Sequence, residues 1–281
     1  MTRISPIPQI TGESGAGCAE ARPEAPGRRV WDLDSLSWLV PKVPLRQVIC
    51  ILGPGQEPVQ EQFRLLRTRL EDARQARPLK TVLVTSSLPE EGKSFVALNL
   101  AATISQRGRK KVLLLEADLR RPGCCSALGL SPVAGLAECC MSADPVASFV
   151  YRISGLDLCL MPAGDRATAG TELLDSYRMR QVVAETGRAF DWVVVDSAPL
   201  LPVADSVVLS RLCEGIVLVV RRSKALKSAL QEVLDRIEPA KLLGVVLNDF
   251  PSRHSCEAYL QSSADSAQGK DPDIADFKEA A

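Results

Sequence analysis

TSSLPEEGKSFVALNLA (residues 85–101) joins an apolar, β-branched run to a stretch with helical character, and the loop between them decides the fold. Within it, SLPEEGKS follows the pattern GxxxxGK[ST], with serine in place of the first glycine. Such a loop turns its backbone N–H groups toward phosphate above a helix N-terminus, and its lysine reaches the β- and γ-phosphates. On its own, GKS after a strand also fits an ordinary turn. The pattern predicts a phosphate-binding site formed by Ser87, Pro89, Glu90, Glu91, Gly92, Lys93, Ser94 and Phe95.

Glu90 and Glu91 place two negative charges in a loop suited to binding a polyanion. In such a loop the amides face the anion and the side chains point away. We therefore expect both carboxylates on the rim, facing solvent or a partner protein. Lys93 is expected to bring positive charge to the phosphates, and the hydroxyl of Ser94 to bind Mg²⁺.

Six short apolar runs flank or follow this loop, and their β-branched composition predicts strands buried on both faces, as in a parallel sheet. Helical stretches at 93–106, 171–188, 203–212 and 223–238 separate them. This alternation predicts an α/β fold with a doubly wound, mostly parallel sheet and helices on both faces. Together with the phosphate-loop motif it indicates a P-loop NTPase. Ligands of such sheets bind at the carboxyl ends of the strands. The predicted strands are KTVLVTS (80–86), KVLLLEA (111–117), GLDLCLM (155–161), WVVVDS (192–197), GIVLVV (215–220) and LGVVLN (243–248).

Acidic residues follow two of these strands. Glu116 and Asp118 end one strand, and Asp196 ends another, so all three are expected to converge on the phosphate site. Carboxylates there can hold Mg²⁺ directly or through water, and one can accept a proton from a nucleophile. The alternative explanation is that these residues only cap the strands or face solvent. It would fit a single acidic residue, but it fits three at matching strand ends poorly.

The composition sets the outer limits of the chain's organisation. Its 281 residues carry no net charge, which gives no general attraction to nucleic acid, and no apolar run approaches the roughly 20 residues of a membrane-spanning helix. We predict a disordered N-terminal segment at 1–45, a P-loop domain at 46–251 and a flexible tail at 252–281. Within the first segment, VWDLDSLSWLV (30–40) could form a short docking segment. Nine cysteines with one histidine predict reduced, apolar thiols, with a thiolate cluster of the two adjacent cysteine pairs as the alternative.

Taken together, the motifs resemble those of the bacterial tyrosine autokinases (BY-kinases) that regulate capsule and exopolysaccharide export, a branch of the ParA/MinD-type P-loop ATPases. TSSLPEEGKS, EADLRRP (116–122) and FDWVVVDSAPLLPVAD (190–205) are similar to the family's three nucleotide-site motifs. EQFRLLRTRL (61–70) is similar to its ExxRxxR helix, and LGVVLND (243–249) to its last core strand. The similarity covers about residues 55–250.

The resemblance implies an ATP- and Mg²⁺-dependent protein-tyrosine autokinase. Glu116 stands where the family has the aspartate expected to accept the tyrosine proton, and Asn248 is expected near the adenine. Tyr259, in the tail, is the expected phosphoacceptor. The remaining implied roles are catalysis by Lys93, Asp118 and Asp196, and metal binding by Ser94, Asp118 and Asp196.

The resemblance also implies partners. A transmembrane polysaccharide co-polymerase would activate the kinase from its cytoplasmic end, and a tyrosine phosphatase is a further candidate partner. Glu61, Arg64 and Arg67 would join neighbouring subunits of a cyclic homo-oligomer; without the other motifs they fit an ordinary exposed helix. We expect no nucleic acid, no direct membrane span, and a cytoplasmic location peripheral to the bacterial inner membrane.

The sequence departs from the family pattern at several positions. Glu90 replaces a glycine whose positive φ would cost glutamate about 1 kcal/mol, Glu116 replaces aspartate, and the tail holds one tyrosine instead of a cluster. Tyr151 and Tyr177 are expected to pack in the core. Two alternatives remain open: a catalytically weak nucleotide-binding regulatory subunit of the same export machine, and a ParA/MinD-like positioning ATPase. Leu88 argues against the second, because that class has a lysine there.

Overall fold

An eight-stranded sheet forms the centre of the computed structural model, which describes residues 31–106, 110–165, 171–221 and 227–248. The strand order is β1-β4-β5-β3-β6-β2-β7-β8. Every neighbouring pair is parallel except β4 and β5, which are antiparallel. The strands are β1 (Trp38–Leu39), β2 (Thr81–Ser86), β3 (Val112–Glu116), β4 (Tyr151–Ile153), β5 (Cys159–Met161), β6 (Trp192–Asp196), β7 (Gly215–Arg221) and β8 (Leu242–Asn248).

Helices cover both faces of this sheet, as the sequence predicts. Alternate residues of β2 enter two separate cores: Leu83 packs in one, and Val82 and Val84 in the other. The first core receives side chains from α5 to α8, and the second from α2 to α4. The helices are α1 (Leu45–Val48), α2 (Glu57–Ala76), α3 (Lys93–Ser105), α4 (Cys124–Ala127), α5 (Leu136–Met141), α6 (Tyr177–Ala189), α7 (Asp205–Leu212) and α8 (Lys227–Arg236).

The strand register brings the predicted acidic residues together. Glu116, at the end of β3, pairs with Asp196 at the end of β6, and Asp196 pairs in turn with Val84 of β2. Because these strands run parallel, their carboxyl ends meet at one edge, where α3 begins. The edge predicted to bind ligand is therefore the edge that carries the phosphate-loop motif.

The N-terminal segment differs from its sequence-based prediction. Leu36 and Leu39 are buried, β1 pairs with β4, and the Trp31 ring meets Phe190 edge-on with centroids 5.7 Å apart. The candidate docking segment thus packs on the chain's own sheet, because burying these apolar side chains outweighs the cost of ordering a short segment. We therefore propose that the P-loop domain extends back to residue 31. Residues 1–30, the boundary at 251 and the tail at 252–281 lie outside the described residues.

Two further features bear on function. Tyr177 is 75% exposed at the first position of α6, so the prediction that it packs in the core is wrong. The side of this helix that enters the core begins with Met179, which is completely buried. Tyr151 is half-buried, and its hydroxyl donates to the carbonyl of Ala134 at 3.0 Å. Of the helices in the described ranges, none has both the length and the apolar character needed to cross a bilayer.

Candidate nucleotide and metal site

Two residues of the phosphate loop have left-handed backbone conformations. Gly92 has φ +94°, and a Cβ there would lie 2.1 Å from the amide nitrogen of Asn248, so only glycine fits. Glu90 has φ 64°, as its replacement of a family glycine predicts, and this costs about 1 kcal/mol. Its side chain is exposed, which agrees with a position on the rim.

Glu91 does not lie on the rim, contrary to the sequence-based expectation. It is 1% exposed, and its carboxylate accepts from the backbone N–H of Leu88 at 2.7 Å and of Arg221 at 3.3 Å. Its backbone carbonyl accepts from the side-chain amide of Asn248 at 2.9 Å. Buried backbone donors need acceptors, and this carboxylate supplies them for the loop and for the end of β7. The family motif separates Glu90, which replaces a glycine, from Glu91, but it gave no sign that Glu91 turns inward.

Lys93, the first residue of α3, is held by a carboxylate. Its Nζ lies 2.8 Å from Oδ2 of Asp118, and the two side chains are 12% and 2% exposed. The other oxygen of Asp118 accepts from the backbone N–H of Arg121 at 2.9 Å. The lysine and the carboxylate predicted to serve the phosphates thus form one nearly buried ion pair.

Asp196 is completely buried at the end of β6. Its Oδ2 lies 3.4 Å from the Cys124 thiol, whereas its Oδ1 has no hydrogen-bond partner among the residues the structure describes. Burial raises the pKa of Asp196 to about 7, because the ionised form loses its solvation; the charge of Lys93 and the hydroxyl of Ser94 act in the opposite direction. A buried carboxylate oxygen without a partner suits a bound cation, so the site fits the predicted Mg²⁺.

Glu116 is also completely buried, but three backbone N–H groups bind its carboxylate. Oε1 accepts from Cys124 at 2.7 Å and from Cys125 at 3.2 Å, and Oε2 accepts from Ala163 at 3.3 Å. The side chain therefore fixes the start of α4 and the segment after β5. The methylene that distinguishes it from aspartate extends its reach to these donors.

A cavity of about 420 Å³ opens beside the loop. Asp118 lines it, whereas Glu116 and Asp196 lie behind its wall. At the back of the cavity, a Cβ on Gly123 would lie 2.6 Å from the hydroxyl of Ser94, so a larger residue there would displace that hydroxyl. The lining residues are Pro89, Glu90, Gly92, Lys93, Ser94, Phe95, Asp118, Arg120, Arg121, Gly123, Ala198, Pro199, Pro202 and Val203.

Several of these lining residues did not emerge from the sequence. Arg120 and Arg121 belong to EADLRRP, and their place directly after the acidic strand end was the available signal. Arg120 forms an ion pair with the buried Asp205 at 2.9 Å. Among the predicted residues, Ser87 is buried and its carbonyl accepts from Leu201 at 3.3 Å, while Phe95 is 42% exposed.

The predicted subunit contacts separate into two groups on α2. Glu61 and Arg64 are half exposed and pair with each other at 3.0 Å, so they lie on an accessible face. Arg67 is only 8% exposed, and its guanidinium donates to the carbonyl of Thr103 on α3 at 3.2 Å. Arg67 therefore joins two helices of one subunit. Each step of three residues turns back by about 60° around the helix axis, so Arg67 lies about 120° from Glu61, on the inner face. Tyr259 lies outside the described residues.

Comparison with known proteins gives a consistent picture, although no family model matches the chain. Tyrosine-protein kinase YwqD of Bacillus subtilis is 35% identical over 217 residues, which cover 76% of this chain and 91% of YwqD. The succinoglycan biosynthesis transport protein ExoP of Rhizobium meliloti is 32% identical over 67% of this chain but only 24% of its own length.

Solved structures agree with these relatives. The chimerical protein CapA2B2 superposes with a TM-score of 0.68 at 26% identity, covering 77% of this chain and 94% of that chain. The kinase domain of the Escherichia coli tyrosine kinase ETK gives 0.62 at 28% identity, covering 70% and 79%. McdA of Cyanothece, at 20% identity and a TM-score of 0.52, shares the fold.

Proposed function

The chain belongs to the bacterial tyrosine-protein kinase family, and on this premise we propose that it transfers the γ-phosphoryl group of ATP to tyrosine in a polysaccharide-export system. One observation carries the proposal: a lysine of the phosphate loop and a nearly buried aspartate, 2.8 Å apart, line the same cavity. Phosphoryl transfer needs positioning and charge stabilisation more than covalent chemistry, and this cavity offers both.

Lys93 and Asp118 act in sequence in this proposal. The phosphates of ATP, held by the amides before α3, draw Nζ of Lys93 away from Asp118. The released carboxylate then accepts the tyrosine proton while the phenolic oxygen bonds to the γ-phosphorus and ADP leaves. Asp118 is preferred over Glu116 as the acceptor because Asp118 lines the cavity, whereas three N–H groups engage the oxygens of Glu116.

Ser94 and Asp196 are the residues that would hold Mg²⁺, the serine through its hydroxyl and the aspartate through its unpartnered oxygen. Bound there, Mg²⁺ would neutralise charge on the phosphates. Asp118 remains a candidate metal ligand, although Lys93 and the Arg121 amide occupy its oxygens in this conformation. Asn248, which braces the loop through Glu91, is proposed to lie beside the bound nucleotide.

The wider role follows from the relatives. A relative named for succinoglycan biosynthesis transport supports polysaccharide export as the process. We propose that the phosphoacceptor is Tyr259 of a neighbouring subunit in a ring, with Glu61 and Arg64 on the contact face. The activating partner would be a transmembrane co-polymerase, and a tyrosine phosphatase would reverse the reaction. The kinase would work in the cytoplasm at the inner membrane.

The test is phosphate transfer from labelled ATP with Mg²⁺, in the presence of the partner's cytoplasmic segment, with phosphotyrosine mapped by mass spectrometry. Lys93→Met should abolish the label. Lys110→Met is the matched control, because Lys110 pairs with Glu71 at 2.7 Å outside the cavity, and it should keep the label. Phosphate on Tyr259 that is lost in Tyr259→Phe would support Tyr259 as the phosphoacceptor. Unchanged phosphorylation in Lys93→Met would contradict the proposed kinase activity.

Glu116 favours one alternative, a regulatory subunit that binds nucleotide without transferring phosphate. Its buried carboxylate accepts from three backbone N–H groups and does not line the cavity, although it stands at the position of the family's proton acceptor. ATP-dependent oligomers without any phosphotyrosine would support this alternative. The proton-acceptor assignment is tested by Asp118→Asn, which should reduce transfer more than Glu116→Gln; the reverse order would return the role to Glu116.

A further inference from the structure

A thiol lies between two carboxylates behind the cavity wall. Glu116, Cys124 and Asp196, the acid–thiol cluster, are all completely buried, and one potential ligand atom from each lies within 4.8 Å of the others. The Cys124 sulfur is 3.4 Å from Oδ2 of Asp196. The sequence-based interpretation of the cysteines as apolar filler does not account for a thiol placed between two acids.

The acid–thiol cluster also has unused ligand capacity. Oδ1 of Asp196 has no hydrogen-bond partner in the described part of the chain, although the residue is fully buried. Oε2 of Glu116 accepts one N–H, from Ala163, and a carboxylate oxygen has two acceptor positions. A buried polar oxygen without a partner is costly, and a cation would remove that cost.

We propose that Glu116, Cys124 and Asp196 form a binding site for a thiophilic divalent cation of the Zn²⁺ class. A thiolate is a soft ligand that favours such ions, whereas Mg²⁺ takes oxygen ligands. Two ligands of one tetrahedral zinc, one sulfur and one oxygen, lie about 3.6 Å apart, close to the separation seen here. Three protein ligands leave a fourth position for water, and the thiol proton passes to solvent on binding.

Binding of Zn²⁺ would oppose the kinase reaction, and this consequence alone rests on the proposed function. A cation in the acid–thiol cluster and Mg²⁺ beside Ser94 would both draw on the single carboxylate of Asp196, and two divalent cations so close together repel each other. Zn²⁺ would therefore compete with the magnesium-dependent binding of nucleotide. Cys124 gives this chain a thiol directly beneath the phosphate-binding loop, 3.7 Å from the carbonyl of Ser94.

The test uses Co²⁺ as a spectroscopic substitute, added to the full chain without nucleotide. Wild type should show a near-ultraviolet thiolate-to-cobalt charge-transfer band that one equivalent of Zn²⁺ removes. Cys124→Ser should lose the band. Cys139→Ser is the matched control, a buried cysteine from the other adjacent pair, and it should keep the band.

Two further measurements distinguish loss of the metal site from loss of the folded structure. Circular dichroism should show that Cys124→Ser folds, and Asp196→Asn, which keeps the side-chain shape, should weaken Zn²⁺ binding at least about tenfold by calorimetry. No band in wild type, a band retained by Cys124→Ser, or unchanged Zn²⁺ affinity in Asp196→Asn would each overturn the proposal. A chain that phosphorylates tyrosine with Mg²⁺ but shows no band refutes this site alone; a band without phosphorylation refutes only the proposed function.

Discussion

Replacing Asp196 by asparagine should stabilise the metal-free protein, and more so at higher pH. The buried carboxyl has its pKa raised to about 7 from 3.8, so the folded state holds its proton over a range in which the unfolded chain has released it. Stability of wild type therefore falls as pH rises from about 4 to about 7, because the folded state binds more protons there. Asparagine has nothing to ionise and escapes this loss.

The size of the effect follows from the two pKa values. Compared with a side chain that does not titrate, the raised pKa of Asp196 lowers the free energy of unfolding by about 1.5 kcal/mol at pH 5 and about 4 kcal/mol at pH 8. The difference in unfolding free energy between Asp196→Asn and wild type should therefore grow by about 2 to 3 kcal/mol between these two pH values. The charge of Lys93 is already included, because it contributes to the pKa of Asp196.

Urea unfolding at pH 5, 6, 7 and 8, with a chelator and without nucleotide, measures this difference. Glu61→Gln is the control, because Glu61 is a half-exposed carboxylate whose replacement should give a small difference that does not vary with pH in this way. The reasoning is refuted if the difference in unfolding free energy between Asp196→Asn and wild type stays constant from pH 5 to pH 8 or becomes smaller as the pH rises. If Asp196 holds Mg²⁺ as proposed, saturating Mg²⁺ and ATP should reverse the ranking, because the variant lacks that ligand.

Three further predictions concern the loop and α2. Glu90→Gly should be more stable to urea than Glu90→Ala by about 1 kcal/mol, because only glycine relieves the positive φ; equal stabilities would contradict the strain. Gly92→Ala should weaken ATP binding, measured by calorimetry, because the added Cβ would collide with the side chain of Asn248. Combining it with Asn248→Ala should restore part of the affinity, and no restoration would mean that this contact is not the cause. Arg67→Ala should lower the free energy of unfolding by about 1 to 3 kcal/mol, because the carbonyl of Thr103 loses this donor. Arg64→Ala, on the exposed face, should change it by less than about 1 kcal/mol. A larger effect at Arg64 than at Arg67 would contradict the assignment of the inner and outer faces of α2.

Strand positions were predictable because the deciding signals are local. Runs such as WVVVDS and GIVLVV are apolar at every position, as a strand buried on both faces requires, and they correspond to β6 and β7. The two-residue β1 and three-residue β4 escaped prediction, since neither is long enough to show a period. Their pairing depends on contacts between distant parts of the chain.

The site was predictable as a set of residues but less so as a set of contacts. Motif spacing placed Lys93, Asp118 and Asp196 together, because parallel strands end at one edge. It did not reveal that Glu91 turns inward. The orientation of a loop glutamate depends on nearby backbone donors, here two N–H groups, and the local sequence does not specify them. Nor did it place Cys124 beside Asp196, a contact between residues 72 positions apart in the chain.

The position of Asn248 sets a limit on how the tail can be used. Its side chain is anchored to the phosphate loop through Glu91, so the described part of the chain ends at a fixed point beside that loop. Tyr259 follows 11 residues later, and a fully extended chain of that length spans roughly 36 to 40 Å. This length limits the size of the proposed ring. A neighbouring subunit could phosphorylate Tyr259 only if its cavity lies within this distance of β8 in the subunit that provides the tyrosine.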